Sequence, residues 1–302
     1  MSGLLAGLEE AAGVDFRRAE GFVGTSAGSI VAASLVAGRS PRRPGDGPRR
    51  AGPTDGQETT AQPNGASPPE AGTPQGPLTM LARAAGRAAW AASAPLTPIA
   101  LAVGAPAGAV ARAALLARAP SEGRSLSGLR EEVRRSGASF DGRLRVVCVD
   151  KDRGKRVAFG SPGAPRASVA QAVEASCSIP WVFAPVRIGD RDYVDGGAWS
   201  VTNLDVAAVG AQTHVLCLEP TSSAPAGPAE ARTPLGALRH ALRAAAAVEE
   251  AALRRRGATV QRVGPDAAAS AAMGPNLMAG GKAAAALSAG FAQGRALGGA
   301  GG

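Results

Sequence analysis

The chain has 302 residues, enough to bury a full hydrophobic core, and 45% of them are apolar although only 3% are aromatic. Its formal net charge of +9 comes without an arginine-rich helix or a nucleic-acid motif, so we expect no nucleic-acid partner and regard an anionic membrane surface as the better match. The cysteines Cys148, Cys177 and Cys217 are too scattered for a disulfide framework or a metal site, which predicts buried thiols and a reducing, cytoplasmic location. The sequence has no metal-ligand cluster and no phosphate-binding loop, so we expect no cofactor.

Helical and strand patterns alternate along most of the chain. The predicted helices span 4–12, 29–37, 126–136, 168–176, 235–256 and 282–297. The predicted strands span 20–24, 144–149, 157–159, 182–188, 192–194, 214–218 and 259–263. We expect Ser168 to cap its helix. This alternation is typical of an α/β fold, with a mostly parallel sheet covered by helices on both faces.

Two long segments differ from the rest in composition. Residues 38–77 are rich in Pro, Gly, Thr, Gln and Asp and almost free of large apolar side chains, which predicts a disordered insertion. Residues 79–119 are rich in alanine but interrupted by prolines, which favours a helical insertion, either a buried hairpin or a lid, over a transmembrane helix. We expect residues 1–302 to form one domain and 298–302 to be a flexible tail.

The pentapeptide Gly24-Thr25-Ser26-Ala27-Gly28 matches the Gly-x-Ser-x-Gly pattern of a nucleophile elbow. A nucleophilic serine on a strained strand-to-helix turn needs neighbours, two positions away on each side, that have no Cβ in the way. The predicted strand before this segment and the predicted helix after it provide that context. The helix N-terminus would also favour negative charge near Ser26. The alternative is a glycine–serine turn that opens a helix and does no chemistry.

A nucleophilic serine needs a base, and the sequence offers two histidines and one well-placed aspartate. His214 lies inside an apolar strand, where we expect a buried histidine, and His240 lies on a solvated helix face. Neither histidine is on a loop after a strand, as the order Ser, Asp, His of α/β-hydrolases requires. Asp195 ends a predicted strand and is followed by Gly196 and Gly197, which allow a tight turn. From these residues alone, a carboxylate base and an ordinary turn both remain open.

Three motifs in this order resemble those of the patatin-like phospholipase family, bacterial branch. They are Gly-Thr-Ser-Ala-Gly-Ser-Ile at 24–30, Ala-Ser-Cys-Ser-Ile-Pro-Trp-Val-Phe-Ala-Pro-Val at 175–186, and Tyr-Val-Asp-Gly-Gly at 193–197. The resemblance covers 3–37 and 125–297. It implies a three-layer α/β/α fold, a Ser–Asp dyad without histidine, and hydrolysis of ester bonds in phospholipids or other lipids, of the phospholipase A or lysophospholipase kind.

Carried over by position, the resemblance assigns one role to each of three residues. Ser26 would be the nucleophile, Asp195 the base that takes its proton, and the Ala27 N–H a candidate oxyanion donor. Family members also have a strand and a Gly-Gly-Gly-x-Arg/Lys-Gly loop ahead of the first helix, and nothing before Leu4 matches these. We therefore expect helix 4–12 to pack on the sheet beside an open slot next to Ser26, and hydrolysis to be weak. The alternatives are a catalytically impaired member that binds lipid or a protein, and a histidine-dependent serine esterase.

Overall fold

The computed structural model describes residues 1–46, 108–221, 234–274 and 280–299. The helices are α1 Ser2–Ala12, α2 Ala27–Val36, α3 Gly108–Leu116, α4 Ser127–Arg135, α5 Val169–Cys177, α6 Pro234–Arg255, α7 Ala267–Met273 and α8 Ala283–Gly299. The strands are β1 Phe22–Gly24, β2 Leu144–Asp150, β3 Lys155–Phe159, β4 Val186–Ile188, β5 Arg191–Asp195, β6 His214–Leu218 and β7 Thr259–Val263. Every predicted helix and strand is present, and the largest change is at β4, which begins later than predicted.

Local sequence explains where α5 begins. The Ser168 side chain accepts a hydrogen bond from the Gln171 N–H, and the Gln171 side chain in turn accepts one from the Ser168 N–H. This reciprocal pair satisfies two backbone donors that a helix N-terminus otherwise leaves unpaired. The predicted cap at Ser168 is confirmed.

The central sheet has the strand order β1-β2-β5-β4, and β3 pairs with the other edge of β2. The prediction of an α/β fold, with a central sheet and flanking helices, is confirmed. The prediction that this sheet is mostly parallel is wrong, because only β1 runs parallel to its neighbour and the other pairs are antiparallel. The connections 151–154 and 189–190 are far too short for the crossover that parallel neighbours need, so they form antiparallel hairpins. β6 and β7 form a separate parallel pair.

The main hydrophobic core lies where α2, α4 and α5 pack together and against the central sheet. Small side chains, mostly valine and alanine, make up most of this core, as the low aromatic content predicts. Its largest members are Phe159 and Tyr193, whose rings meet edge to face with centroids 5.0 Å apart. The core therefore depends on close backbone approach, and it includes residues of both β2 and β5.

Helix α1 packs mainly on α8, where the family resemblance led us to expect the sheet. A Cβ added at Gly7 or Gly294 would overlap with backbone of the opposing helix, so glycine allows the two helices to approach closely. Each of the three cysteines is a free, buried thiol, as predicted.

The predicted insertions and tail are only partly within the described residues. Residues 38–46 contain no helix or strand, and 47–77 lie outside the described ranges. Of the predicted helical insertion 79–119, the structure describes residues 108–119, and helix α3 occupies most of them. Helix α8 reaches Gly299, so the first two residues of the predicted tail are helical. None of the helices in the described part of the chain is both long and apolar enough to cross a bilayer.

Candidate active site

Ser26 occupies the turn between β1 and α2 in a strained backbone conformation. Its φ of 52° and ψ of −128° lie in a region that a residue with a Cβ adopts only at a cost. The Ser26 N–H donates to Ser176 Oγ at 2.9 Å, and the Ser26 carbonyl accepts from the Ser29 N–H at 2.9 Å and from Ser29 Oγ at 2.6 Å. These bonds hold the backbone while Ser26 itself faces a cleft.

The two glycines that flank this turn, Gly24 and Gly28, differ in how much space the fold leaves for a side chain. A Cβ at Gly24 would overlap with the backbone of Ser29, lying 2.7 Å from its nitrogen. A Cβ at Gly28 would have no atom within 4 Å. The expectation that both neighbours must lack a side chain therefore holds at Gly24 and fails at Gly28, which borders open space.

The registers of β1 and β5 on β2 explain why Ser26 and Asp195 lie beside the same edge of β2 and line one cleft. Gly24 pairs with Val146 of β2, and Asp195 pairs with Cys148 of the same strand. Because β3 occupies one edge of β2, β1 and β5 share the other edge and run toward each other along it. Their C-terminal ends thus lie about 7 Å apart along β2, at ~3.3 Å per residue. Ser26 and Asp195 consequently line the same cleft.

Asp195 is almost completely buried, with 1% of its surface exposed. Its Oδ1 accepts from the Gly197 N–H at 2.7 Å, whereas Oδ2 has no hydrogen-bond partner among the described residues. Burial raises the pKa of Asp195 from 3.8 to about 7, although the Gly197 N–H and the Ser26 hydroxyl, which lies near the carboxylate without a hydrogen bond of normal geometry to it, both favour the charged form. A Cβ at Gly196 would lie 2.9 Å from the carbonyl carbon of Val147, so glycine lets this turn sit directly on β2.

The N-terminus of α2 supplies one unpaired donor beside Ser26. The Gly28 and Ser29 N–H groups are bonded to Thr25 O and Ser26 O at 2.9 Å each. The Ala27 N–H has no such partner in the described part of the chain. It can therefore donate to a negative charge that forms next to Ser26, and the helix dipole acts in the same direction.

A cleft of about 1050 Å³ lies between β1 and β6 and contains this site. β1 and β6 both border the cleft, and in the described residues they pair only with β2 and β7. The walls of the cleft are largely apolar, which suits an acyl chain. Six of the apolar side chains that line it are Phe22, Ile30, Leu35, Phe183, Leu216 and Leu218.

A family model described as patatin-like phospholipase matches residues 1–208, which is more than two thirds of the chain and includes both Ser26 and Asp195. The protein belongs to the patatin-like phospholipase family. This confirms the resemblance seen in the three motifs and agrees with the α/β fold. Members of the family act on acyl esters of lipids, so the apolar cleft and the family assignment agree. None of the curated proteins matches the chain.

The two histidines of this patatin-like protein are exposed. His214 begins β6 and lines the cleft, so the expectation of a buried core histidine is wrong. The apolar pattern correctly predicted that His214 belongs to a strand. His214 is the first residue of that strand, however, and lies outside the hydrophobic core. His240 is exposed on α6, as expected. No hydrogen bond joins either histidine to Ser26 or Asp195 within the described ranges.

Sequence reasoning missed two buried polar residues beside the site. Ser176 lies inside the second motif, and besides its bond to the Ser26 N–H it donates to Val147 O at 2.8 Å. The available signal was a serine at the end of an apolar helix, because a hydroxyl that becomes buried there needs a partner. Asn203, eight residues after Asp195, is in none of the motifs, and no local pattern marks it.

Proposed function

We propose that this protein is a serine acyl hydrolase of lipid esters, with Ser26 as nucleophile and Asp195 as base. The observation that carries the proposal is the juxtaposition of a strained, cleft-facing Ser26 with a buried Asp195 whose Oδ2 has no partner among the described residues. A buried carboxylate with a pKa near neutrality is a suitable acceptor for a hydroxyl proton, because it is basic yet still ionised at working pH.

In the proposed reaction Asp195 takes the Ser26 hydroxyl proton as Ser26 Oγ bonds to the ester carbonyl carbon. The tetrahedral oxyanion accepts a hydrogen bond from the Ala27 N–H at the start of α2. When the intermediate collapses, the bond to the alcohol oxygen breaks, and Asp195 gives its proton to that leaving oxygen. Water then attacks the acyl group on Ser26, again losing its proton to Asp195. Release of the carboxylic acid returns this proton to Ser26.

The cleft and the family together support the proposed substrate class. The apolar walls offer room for an acyl chain, and the +9 charge of the chain favours approach to an anionic lipid surface. We therefore propose phospholipase A or lysophospholipase activity at a membrane surface to which the protein binds peripherally.

A catalytically impaired member of the family, which binds lipid without turning it over, is the second candidate. It is favoured by the oxyanion site, where the start of α2 offers the Ala27 N–H while the Gly28 and Ser29 N–H groups are already bonded to Thr25 O and Ser26 O. Loss of one oxyanion donor from an acyl-transfer enzyme typically costs ~10²–10³-fold in rate.

The test compares turnover with covalent labelling of the nucleophile. Wild type should hydrolyse p-nitrophenyl butyrate and micellar lysophosphatidylcholine, and a fluorophosphonate probe should label Ser26. Ser26→Ala should lose both properties, while Ser125→Ala, at an exposed serine outside the cleft, should keep both. Labelling without turnover would support the impaired member, and turnover that survives Ser26→Ala would refute the assignment of the nucleophile.

The histidine variants separate the dyad from a triad. His214→Gln and His240→Gln should each keep the wild-type kcat, because neither imidazole is hydrogen-bonded to Ser26 or Asp195 in the described structure. His214 is the stronger test, since it lines the same cleft as Ser26. A loss of activity in His214→Gln alone, with Ser26 still labelled slowly, would replace the dyad by a histidine-dependent mechanism.

A further inference from the structure

Asn203 is a buried polar residue that makes contacts on both sides of the proposed site. Its side chain is fully buried, and its Nδ2 lies 3.1 Å from Thr25 Oγ1, 3.2 Å from Gly196 O and 2.6 Å from Ser200 O. Its Oδ1 accepts from Arg156 Nη1 at 3.2 Å. The orientation of the amide is determined by its partners, because a guanidinium only donates and a backbone carbonyl only accepts.

Two of these contacts connect the turns that carry the proposed dyad. Thr25 immediately precedes Ser26, and Gly196 immediately follows Asp195. The two turns end β1 and β5, which both pair with β2 and are not paired with each other. The Asn203 amide is thus a direct link between the two strand ends, in addition to their common neighbour β2.

The rest of its surroundings hold Asn203 in one position. Its φ of 48° and ψ of 35° are left-handed, a conformation that asparagine adopts more readily than most residues. Arg156, which donates to its Oδ1, is itself fixed by two 2.6 Å bonds to Asp205 and lies 5.2 Å from the Trp199 ring centroid. An amide held in this way resists movement of either turn.

We propose that Asn203 is a positioning residue, whose amide nitrogen clamps Thr25 to Gly196 and so sets the distance between Ser26 Oγ and Asp195 Oδ2. This inference rests on the proposed function of the dyad. Asn203 is not among the residues that line the cleft, so its loss should leave substrate binding largely intact. A displacement of ~1 Å between reacting groups can cost ~10²-fold in rate, and the effect should therefore fall on kcat rather than on KM.

Three variants isolate the clamp. Asn203→Gly removes the amide and keeps the backbone conformation, since glycine adopts positive φ freely. Thr25→Val removes the hydroxyl at the other end of the link with little change in shape. Gln293→Ala is the matched control, because the Gln293 amide donates to Gly264 O at 2.8 Å outside the cleft.

Kinetics with p-nitrophenyl butyrate at pH 9, where Asp195 is ionised, provide the first readout. Asn203→Gly and Thr25→Val should each lower kcat by ~10-fold or more with KM changed by less than ~3-fold, and Gln293→Ala should match wild type. The double variant should be no slower than Asn203→Gly alone, because both substitutions break the same link. Losses that multiply in the double variant, or an unchanged kcat in Asn203→Gly, would overturn the clamp.

Hydrogen exchange distinguishes failure of the clamp from failure of the proposed function. In Asn203→Gly the backbone amides of 25–29 and of 195–198 should both exchange faster than in wild type, whereas Gln293→Ala should change neither. If wild type hydrolyses no ester but Asn203→Gly shows this coupled change, the hydrolase proposal fails and the clamp stands. Faster exchange at one turn alone overturns the clamp, whatever the activity.

Discussion

The raised pKa of Asp195 gives the proposed mechanism a defined dependence on pH. Burial moves this pKa from 3.8 to about 7, and only the ionised carboxylate can accept the Ser26 proton. We therefore expect kcat/KM to reach a plateau above pH ~8 and to fall about tenfold for each pH unit below 7, leaving ~1% of the plateau at pH 5.

Ionisation of Asp195, which should raise activity as the pH increases, should lower the stability of the folded protein over the same pH range. Because the pKa of Asp195 is higher in the folded than in the unfolded protein, its contribution to stability is complete below pH ~4 and is lost as the pH rises through about 7. At about 1.4 kcal/mol per tenfold change in the proton equilibrium, the loss approaches ~4 kcal/mol as an upper limit. The neutral variant Asp195→Asn avoids this loss, so its stability advantage over wild type should grow by up to that amount between pH 4 and pH 8.

Two measurements over the same pH range check this reasoning. Initial rates with p-nitrophenyl butyrate, at constant ionic strength and corrected for spontaneous hydrolysis, give the profile of kcat/KM. Thermal unfolding of wild type and Asp195→Asn gives the stability difference, which should increase Tm of the variant relative to wild type by on the order of 8 °C at pH 8. A kcat/KM that stays flat down to pH 5, or a Tm difference independent of pH, would show that Asp195 is not a buried base with a raised pKa.

Three further substitutions test the turn that carries Ser26. Gly24→Ala should lower Tm and abolish hydrolysis, because its Cβ would overlap with the Ser29 backbone. The matched variant Gly28→Ala should have the Tm of wild type, since its Cβ meets nothing within 4 Å. Equal Tm values for the two variants in thermal unfolding would contradict this steric argument. Ser176→Ala should cost ~1–3 kcal/mol in urea unfolding and lower kcat, because it removes the bond to the Ser26 N–H and leaves the buried Val147 carbonyl without this donor. An unchanged unfolding midpoint in Ser176→Ala would show that this bond does not hold the turn.

Much of the local structure could be predicted from the sequence because its causes are local. Strands β6 and β7 have the predicted bounds, since β6 is an apolar run after a polar first residue and β7 places valines between polar residues. The capping box at Ser168 needs only residues three positions apart. The turn between β1 and α2 follows from the glycine pattern around Ser26, and the short connections at 151–154 and 189–190 contain enough information to indicate antiparallel hairpins.

The tertiary structure alone decided how the site is assembled. The registers of β1 and β5 on β2 bring Ser26 and Asp195 to the same cleft, and burial under that arrangement raises the pKa of Asp195. The same arrangement leaves His214 exposed at the start of β6. Asn203 reaches Thr25 across 178 positions of sequence. Such contacts depend on strand register and depth of burial, which arise from the packing of distant segments and leave no periodic pattern in the chain.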